Sequence, residues 1–188
     1  MSGRRAVKVA NRRPLLWIAA GGILLAVGLF AGRKQIVRFI NGSKLNELHP
    51  VAREKITAFL NKVQQLGYTV RITSGYRTQQ RQAELQKTNK YAVSAGTSPH
   101  VYGLAIDANF SKNGRTLHAK SSLAEWEASG IPTLARNLGL RWGGDFAARD
   151  TVHFDYGWGP AVARAKLQAA KARFGDKKWF TADLRTIV

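Results

Sequence analysis

Ser98-Pro99-His100-Val101-Tyr102-Gly103-Leu104-Ala105-Ile106-Asp107 is the stretch on which the reading of this 188-residue chain turns. A histidine and an aspartate stand seven residues apart, joined by a small apolar run that alternates like a strand. In the strand, residues 105, 107 and 109 share one face, so Asp107 is set among small and apolar neighbours. An unpaired carboxylate buried there is costly, and a metal removes that cost. Some fifty residues on comes Asp150-Thr151-Val152-His153-Phe154, a second strand-like run with a histidine between apolar residues.

His100, Asp107 and His153 together offer two imidazoles and a carboxylate. That is the ligand count of a catalytic Zn2+ site with one coordination position left for water. The chain has no cysteine, so any metal falls to His, Asp or Glu, and there are only four histidines: His49, His100, His118 and His153. A single histidine on an apolar background is more often a satisfied core residue than a ligand. Spacing alone therefore leaves a metal site and a pair of core histidines level. Asp150, three residues before His153, is the candidate general base, placed to take a proton from metal-activated water; the plainer alternative is a turn-capping aspartate. Arg77, at a strand end after Ser74-Gly75-Tyr76, is a candidate oxyanion or carboxylate partner. As a plain surface arginine it would sit unfavourably at a helix start.

The net charge is +19, unevenly placed. Residues 1–45 carry nine Lys/Arg and no acid, whereas residues 46–188 hold 21 Lys/Arg against all 11 acids. Such a surface is drawn to polyanions. No interleaved pattern of aromatic and basic residues marks a nucleic-acid reader, so no nucleic-acid partner is expected. The lack of cysteine also excludes disulfides and a cysteine nucleophile. His49, ahead of Pro50, reads as a terminal or surface histidine.

Residues 1–14 read as a basic cytoplasmic segment. Leu15 to Gly32 is an uncharged run of 18 residues, roughly 27 Å long as a helix and close to the thickness of a bilayer's hydrocarbon core. It has no polar face and reads as a transmembrane helix. The flanking charges place the N-terminus in the cytoplasm and the domain outside, as a single-pass membrane protein with its working end on the periplasmic or outer side. No clean cleavage site follows, which favours a permanent anchor over a cleaved leader. The glycines and alanines of the run also resemble the released signal-arrest segments of some phage endolysins. Residues 33–46 read as a basic linker, 47–175 as the working domain and 176–188 as a C-terminal tail.

Within the domain, helical spacing predicts a helix from Pro50 to about Leu66 and others near 79–87, 123–139 (broken at Gly130-Ile131-Pro132) and 160–174. Alternation predicts strands at 68–74, 103–110, 140–142 and 151–156. Residues 111–121, with His118, read as a turn and loop. Helices and strands do not alternate regularly. The expectation is α+β, a small antiparallel sheet with flanking helices.

Four motifs then make a resemblance. Ser74-Gly75-Tyr76-Arg77-Thr78 with Gln82, Ser98-x-His100-x-x-Gly103-x-Ala105-x-Asp107, Trp142-Gly143-Gly144-Asp145-Phe146 and Asp150-x-x-His153-Phe154, in that order, resemble the VanY-type metallopeptidases. These are D-alanyl-D-alanine carboxypeptidases and L-alanyl-D-glutamate endopeptidases, phage endolysins among them, on the LAS zinc fold shared with the hedgehog signalling domain. The match spans roughly residues 47–157. It implies that His100, Asp107 and His153 bind Zn2+, that Asp150 is the base, that Arg77 polarises or clamps the substrate, and that Gln82 and Ser98 support substrate binding.

The implied substrate is the stem peptide of peptidoglycan. The Trp-Gly-Gly-Asp-Phe run looks more like the endopeptidase branch. The alternatives are D-alanyl-D-alanine carboxypeptidase activity, or a non-catalytic wall-binding or virion module on the same fold. The oligomeric state is left open by the sequence.

Overall fold

In the computed structural model, residues 43–88, 93–94, 96–175, 180 and 183–187 are described. The apolar run at 15–32, its basic flank 1–14 and most of the linker lie outside them. Among the described residues, no helix is long and apolar enough to cross a membrane.

Pro50 starts helix α1 (Pro50–Gln65), where its missing N–H costs nothing. Ala52, Ile56, Phe59, Leu60 and Val63 fall on one stripe, and all are buried. His49 is not a surface residue: it is fully buried, and its Nδ1 accepts the N–H of Val51, capping the helix. Nothing local in the sequence signals this, because the Gly103 turn packs against His49 from far along the chain.

The sheet is wholly antiparallel, as expected. Its strands are β1 (Thr69–Ser74), β2 (Ala105–Lys112), β3 (Arg115–Leu117), β4 (Arg141–Trp142) and β5 (His153–Asp155). Strand β2 is the centre. Strand β1 pairs along one edge of it; on the other, β5 pairs its beginning and β3 its end, and β4 pairs β5. Two boundaries differ from the sequence reading. His100 lies on a 3-10 turn, Pro99–Tyr102, and β2 starts only at Ala105. The stretch expected as loop at 111–121 contains β3, joined to β2 by a tight turn at Asn113-Gly114 with both residues at positive φ, 51° and 76°. That is the backbone a two-residue hairpin needs.

Alternation along β2 gives the sheet two unlike faces. Ile106, Ala108 and Phe110 point to the core, and Phe154 of β5 joins them. Phe59 of α1 lies 5.0 Å from Phe154 and 6.3 Å from Phe110, ring centre to ring centre. From α3 (Leu123–Ala128), the third α-helix from Pro50 onward, Trp126 closes the cluster 5.8 Å from Phe110. A capping box of Ser122 and Glu125 fixes where α3 begins. Each of these fully buried aromatic side chains stabilises the fold by about 2–3 kcal/mol. Asp107, His153 and Asp155 are out of phase with that core and project from the opposite face.

Helices α2 (Gln79–Thr88), α4 (Ile131–Asn137) and α5 (Pro160–Phe174) complete the helical complement expected, with α3 and α4 separated at Gly130. The core runs past the expected domain limits at both ends. Leu45 and Leu48 are buried before α1, and Leu184 and Ile187 are buried after α5, in a segment read as tail. Six apolar residues scattered among charged and polar ones leave 176–188 no periodicity to read.

Candidate metal centre

The site is assembled on the polar face of the sheet. The register of β2 against β5 sets Asp107 directly opposite His153. His100 comes from the 3-10 turn, which ends at Gly103 with φ +65°. A side chain at Gly103 would be strained by that φ, and its Cβ would come within 2.8 Å of the His49 backbone N. The Gly103 carbonyl in turn accepts the His49 N–H at 3.0 Å. The buried His49 thus braces the turn that presents His100.

Both imidazoles are oriented from behind. His100 Nδ1 donates to the Gly75 carbonyl at 2.7 Å, which turns Nε2 inward. His153 Nε2 faces the Asp155 carboxylate at 3.4 Å, which turns Nδ1 inward. Asp155 is 1% exposed and is held by Arg141 through two nitrogens, Nε at 3.0 Å and Nη2 at 2.7 Å. Two inward lone pairs then meet one oxygen of Asp107. His100 Nε2 lies 3.1 Å from Asp107 Oδ1 and 3.1 Å from His153 Nδ1, and His153 Nδ1 lies 3.2 Å from Asp107 Oδ1.

That triangle is the test of whether a metal fits. Ligands about 2.0–2.1 Å from a tetrahedral Zn2+ are separated by about 3.3 Å from one another. The three edges match this, the donors are of the types zinc takes without thiolate, and all three ligand atoms are screened from solvent. His100, Asp107 and His153 can hold a metal with no rearrangement of the backbone.

The electrostatics agree. Burial works against charge on both His153 and Asp107. Even so, hydrogen bonds to Asp107 and Asp155 push His153 up to about 9, and the charges and hydrogen bonds of His100 and His153 hold Asp107 well below the ordinary carboxylate range. Without a metal, a proton is retained where the three ligand atoms converge.

Asp107's other oxygen, Oδ2, pairs with Arg77 Nη2. Arg77 is held on two further sides, Nε donating to Ser74 Oγ at 2.9 Å and Nη1 to Gln82 Oε1 at 3.3 Å. Gln82 is buried, and its amide N donates to the Val93 carbonyl at 2.9 Å. The geometry therefore makes Gln82 a support for Arg77, not a group free to reach a ligand. Ser98 is 1% exposed and sits at the wall of the cavity before the His100 turn.

Asp150 comes from the loop between β4 and β5. Its N–H donates to the Gly143 carbonyl at 2.9 Å, and its own carbonyl accepts the His153 N–H at 3.0 Å. The carboxylate is solvent-accessible at the edge of the cleft. Even so, withdrawal of water by the cleft, followed by the charge of Asp107, pushes it above the ordinary carboxylate value. It lines the same cavity as the three candidate ligands, a cleft of about 1000 Å3 whose wall also includes Arg77, Arg141, Phe146 and Arg149.

Gly143 is what allows the loop this shape. A Cβ there would stand 2.1 Å from the Asp150 carbonyl O and 2.9 Å from the His153 Cβ. Gly143→Ala is expected to displace both residues. It should lower stability by about 2 kcal/mol or more and weaken metal binding with it, read by thermal melting and zinc titration.

The structure brings His100, Asp107, His153, Asp150, Arg77, Gln82 and Ser98 to one cleft. It leaves out His118, whose Nδ1 accepts the Lys120 N–H in a surface turn, and Asp145, which pairs with Arg136 away from the cleft. Sequence reasoning missed Asp155 and Arg141. The signal was present: alternation puts 155 on the same face as 153, and a buried strand acid needs a partner.

A family model described as D-alanyl-D-alanine carboxypeptidase matches residues 92–156, which hold all three candidate ligands and Asp150. The peptidoglycan L-alanyl-D-glutamate endopeptidase CwlK of Bacillus subtilis (strain 168) is 29% identical over 126 residues, 58% of this chain and 74% of that protein. The crystal structure of the Serratia marcescens L-Ala D-Glu endopeptidase ChiX aligns with a TM-score of 0.47 at 21% identity, over 62% of this chain and 85% of that one.

Proposed function

We propose that this chain, which is similar to the D-alanyl-D-alanine carboxypeptidase family over residues 92–156 and to an L-alanyl-D-glutamate endopeptidase over 126 residues, is a zinc enzyme that hydrolyses the L-alanyl–D-glutamate bond of peptidoglycan stem peptides. The observation that carries this is the convergence of His100, Asp107 and His153 on one point, with Asp150 on the wall of the same cleft.

When bound, zinc supplies a Lewis acid that makes water a nucleophile near neutral pH and polarises the amide carbonyl. The chain's own groups do the rest. Asp150 accepts the proton of the attacking water as the new C–O bond forms. It returns that proton to the amide nitrogen as the C–N bond breaks, and the second proton of the water passes from the new carboxyl group to the amine, so the products are a carboxylate and an ammonium group. Arg77 keeps a positive charge at the cleft wall, where negative charge develops on the carbonyl oxygen. Its second task is to hold Oδ2 of Asp107, so that Oδ1 alone faces the two imidazoles. Asp155 and the Gly75 carbonyl fix the ring tautomers.

The basic surface favours an anionic wall as the place of action. The uncharged run at 15–32 supports a membrane anchor with the domain outside, which confines hydrolysis to wall near the membrane.

The second reading is removal of the terminal D-alanine, which the family model's description favours. Digestion of purified muropeptides with the zinc-loaded full chain separates the two by mass spectrometry. A new D-glutamyl amino terminus is expected. Release of free D-alanine would replace the endopeptidase reading with the carboxypeptidase one. Release of neither would overturn both.

A further inference from the structure

We propose that Arg149 binds the free carboxylate of the substrate's glutamyl residue and so makes the enzyme selective for stem peptides in which that carboxylate is not amidated. This rests on the endopeptidase reading above.

The argument starts from the charges around the cleft. Three guanidinium groups line it: Arg77, Arg141 and Arg149. Arg77 is paired with Asp107 and Arg141 with Asp155. Each therefore already has an internal carboxylate at hydrogen-bond distance. Arg149 differs. Among the described residues it has no ion pair, hydrogen bond or ring partner, and it is exposed to the cleft. Asp150, its neighbour in the chain, forms no ion pair with it. A planar, permanently charged fork facing a cleft with its donors free is suited to a carboxylate.

The substrate supplies that carboxylate. In an L-alanyl–D-glutamyl bond, the glutamate contributes its nitrogen to the scissile amide. Of its two carboxyl groups only one continues the peptide, so the other ends the side branch as a free carboxylate or as its amide. Position is consistent as well. Asp150 returns its proton to the leaving nitrogen, and that nitrogen belongs to the glutamyl residue. Arg149 follows the same stretch of backbone, about 3.8 Å away Cα to Cα, and so stands by the leaving-group half of the substrate. The loop that carries both is pinned by the Phe146 and Asp150 N–H groups on the Gly143 carbonyl, which holds the arginine in register with the base.

The test uses the zinc-loaded full chain and two synthetic peptides, N-acetyl-L-alanyl-γ-D-glutamyl-L-lysine with a free α-carboxylate and its α-carboxamide twin. Wild-type enzyme is expected to cleave the acid with a kcat/KM about tenfold or more above that for the amide, the effect of one charge-assisted hydrogen bond. Arg149→Gln should bring that ratio to about one, mainly through KM for the acid, and Arg149→Lys should restore part of it. Zinc content and thermal midpoint verify that the variants are intact. Equal kcat/KM for both peptides in the wild type, or an unchanged ratio in Arg149→Gln, overturns the assignment of Arg149 and leaves the endopeptidase reading standing. Cleavage of neither peptide overturns the endopeptidase reading, and the assignment with it.

Discussion

His153→Ala is expected to abolish stoichiometric zinc uptake and, with it, all peptidase activity. The expectation follows from the triangle of ligand atoms. Removing His153 Nδ1 leaves two donors, 3.1 Å apart, on His100 and Asp107. It also strands Asp155, buried and deprived of one of its partners. Losing an outer hydrogen-bond partner of a ligand costs about ten- to hundredfold in metal affinity, and loss of the ligand itself should exceed that. Zinc titration of metal-stripped protein measures it; a variant that still binds zinc with wild-type affinity would sink the assigned site. The same titration carries a pH signature. In the metal-free protein His153 is raised to about 9 by Asp107 and Asp155 in spite of its burial. Zinc has to displace that proton. Affinity should therefore climb as pH rises towards about 9, by about tenfold per unit for one displaced proton, and level off above it.

What made this site readable was scarcity. With no cysteine and four histidines, few ligand sets were open, and two of the histidines lay in alternating apolar runs beside acids. Local alternation then fixed which face each residue would take, and the antiparallel pairing of β2 with β5 did the rest. The parts that escaped reading depend on contacts distant in sequence. His49 looks terminal because only the fold brings the Gly103 turn onto it. Strand β3 is three residues, Arg115, Thr116 and Leu117, of which the first two are polar and exposed, too short a run to show an apolar period; the Asn113-Gly114 pair was its one signal, and a turn without its second strand is half of what that pair announces. Arg77 reads from its place at a strand end, and from the resemblance, as a partner of the substrate, whereas its closest visible partner is Asp107. No sequence pattern could show that, since the two meet only through the β1–β2 register that sets Ser74 beside Asp107.

Asp150→Asn should separate chemistry from metal binding. Asparagine keeps the shape and the backbone bonds to Gly143 and His153, and Asp150 is not one of the three converging ligands. Zinc content is therefore expected to match wild type, while kcat falls by about a hundred- to ten-thousandfold, the usual contribution of a positioned general base. The pH profile provides an independent check. A base works only when ionised, so activity must fall as pH drops through the pKa of Asp150. In the metal-free protein, withdrawal of water by the cleft and then the charge of Asp107 place that pKa above the ordinary carboxylate value of 3.8, against the opposing pull of His153, His100 and Arg77. Wild-type enzyme should show an acid limb in kcat/KM on the high side of that value, and the residual activity of Asp150→Asn should lack it. If the variant loses zinc, Asp150 is a ligand or a support of one; if it keeps both zinc and wild-type turnover, the proton goes elsewhere, and the remaining carboxylate near the metal, Asp155, is closed off by Arg141 and Gly157 and cannot take it.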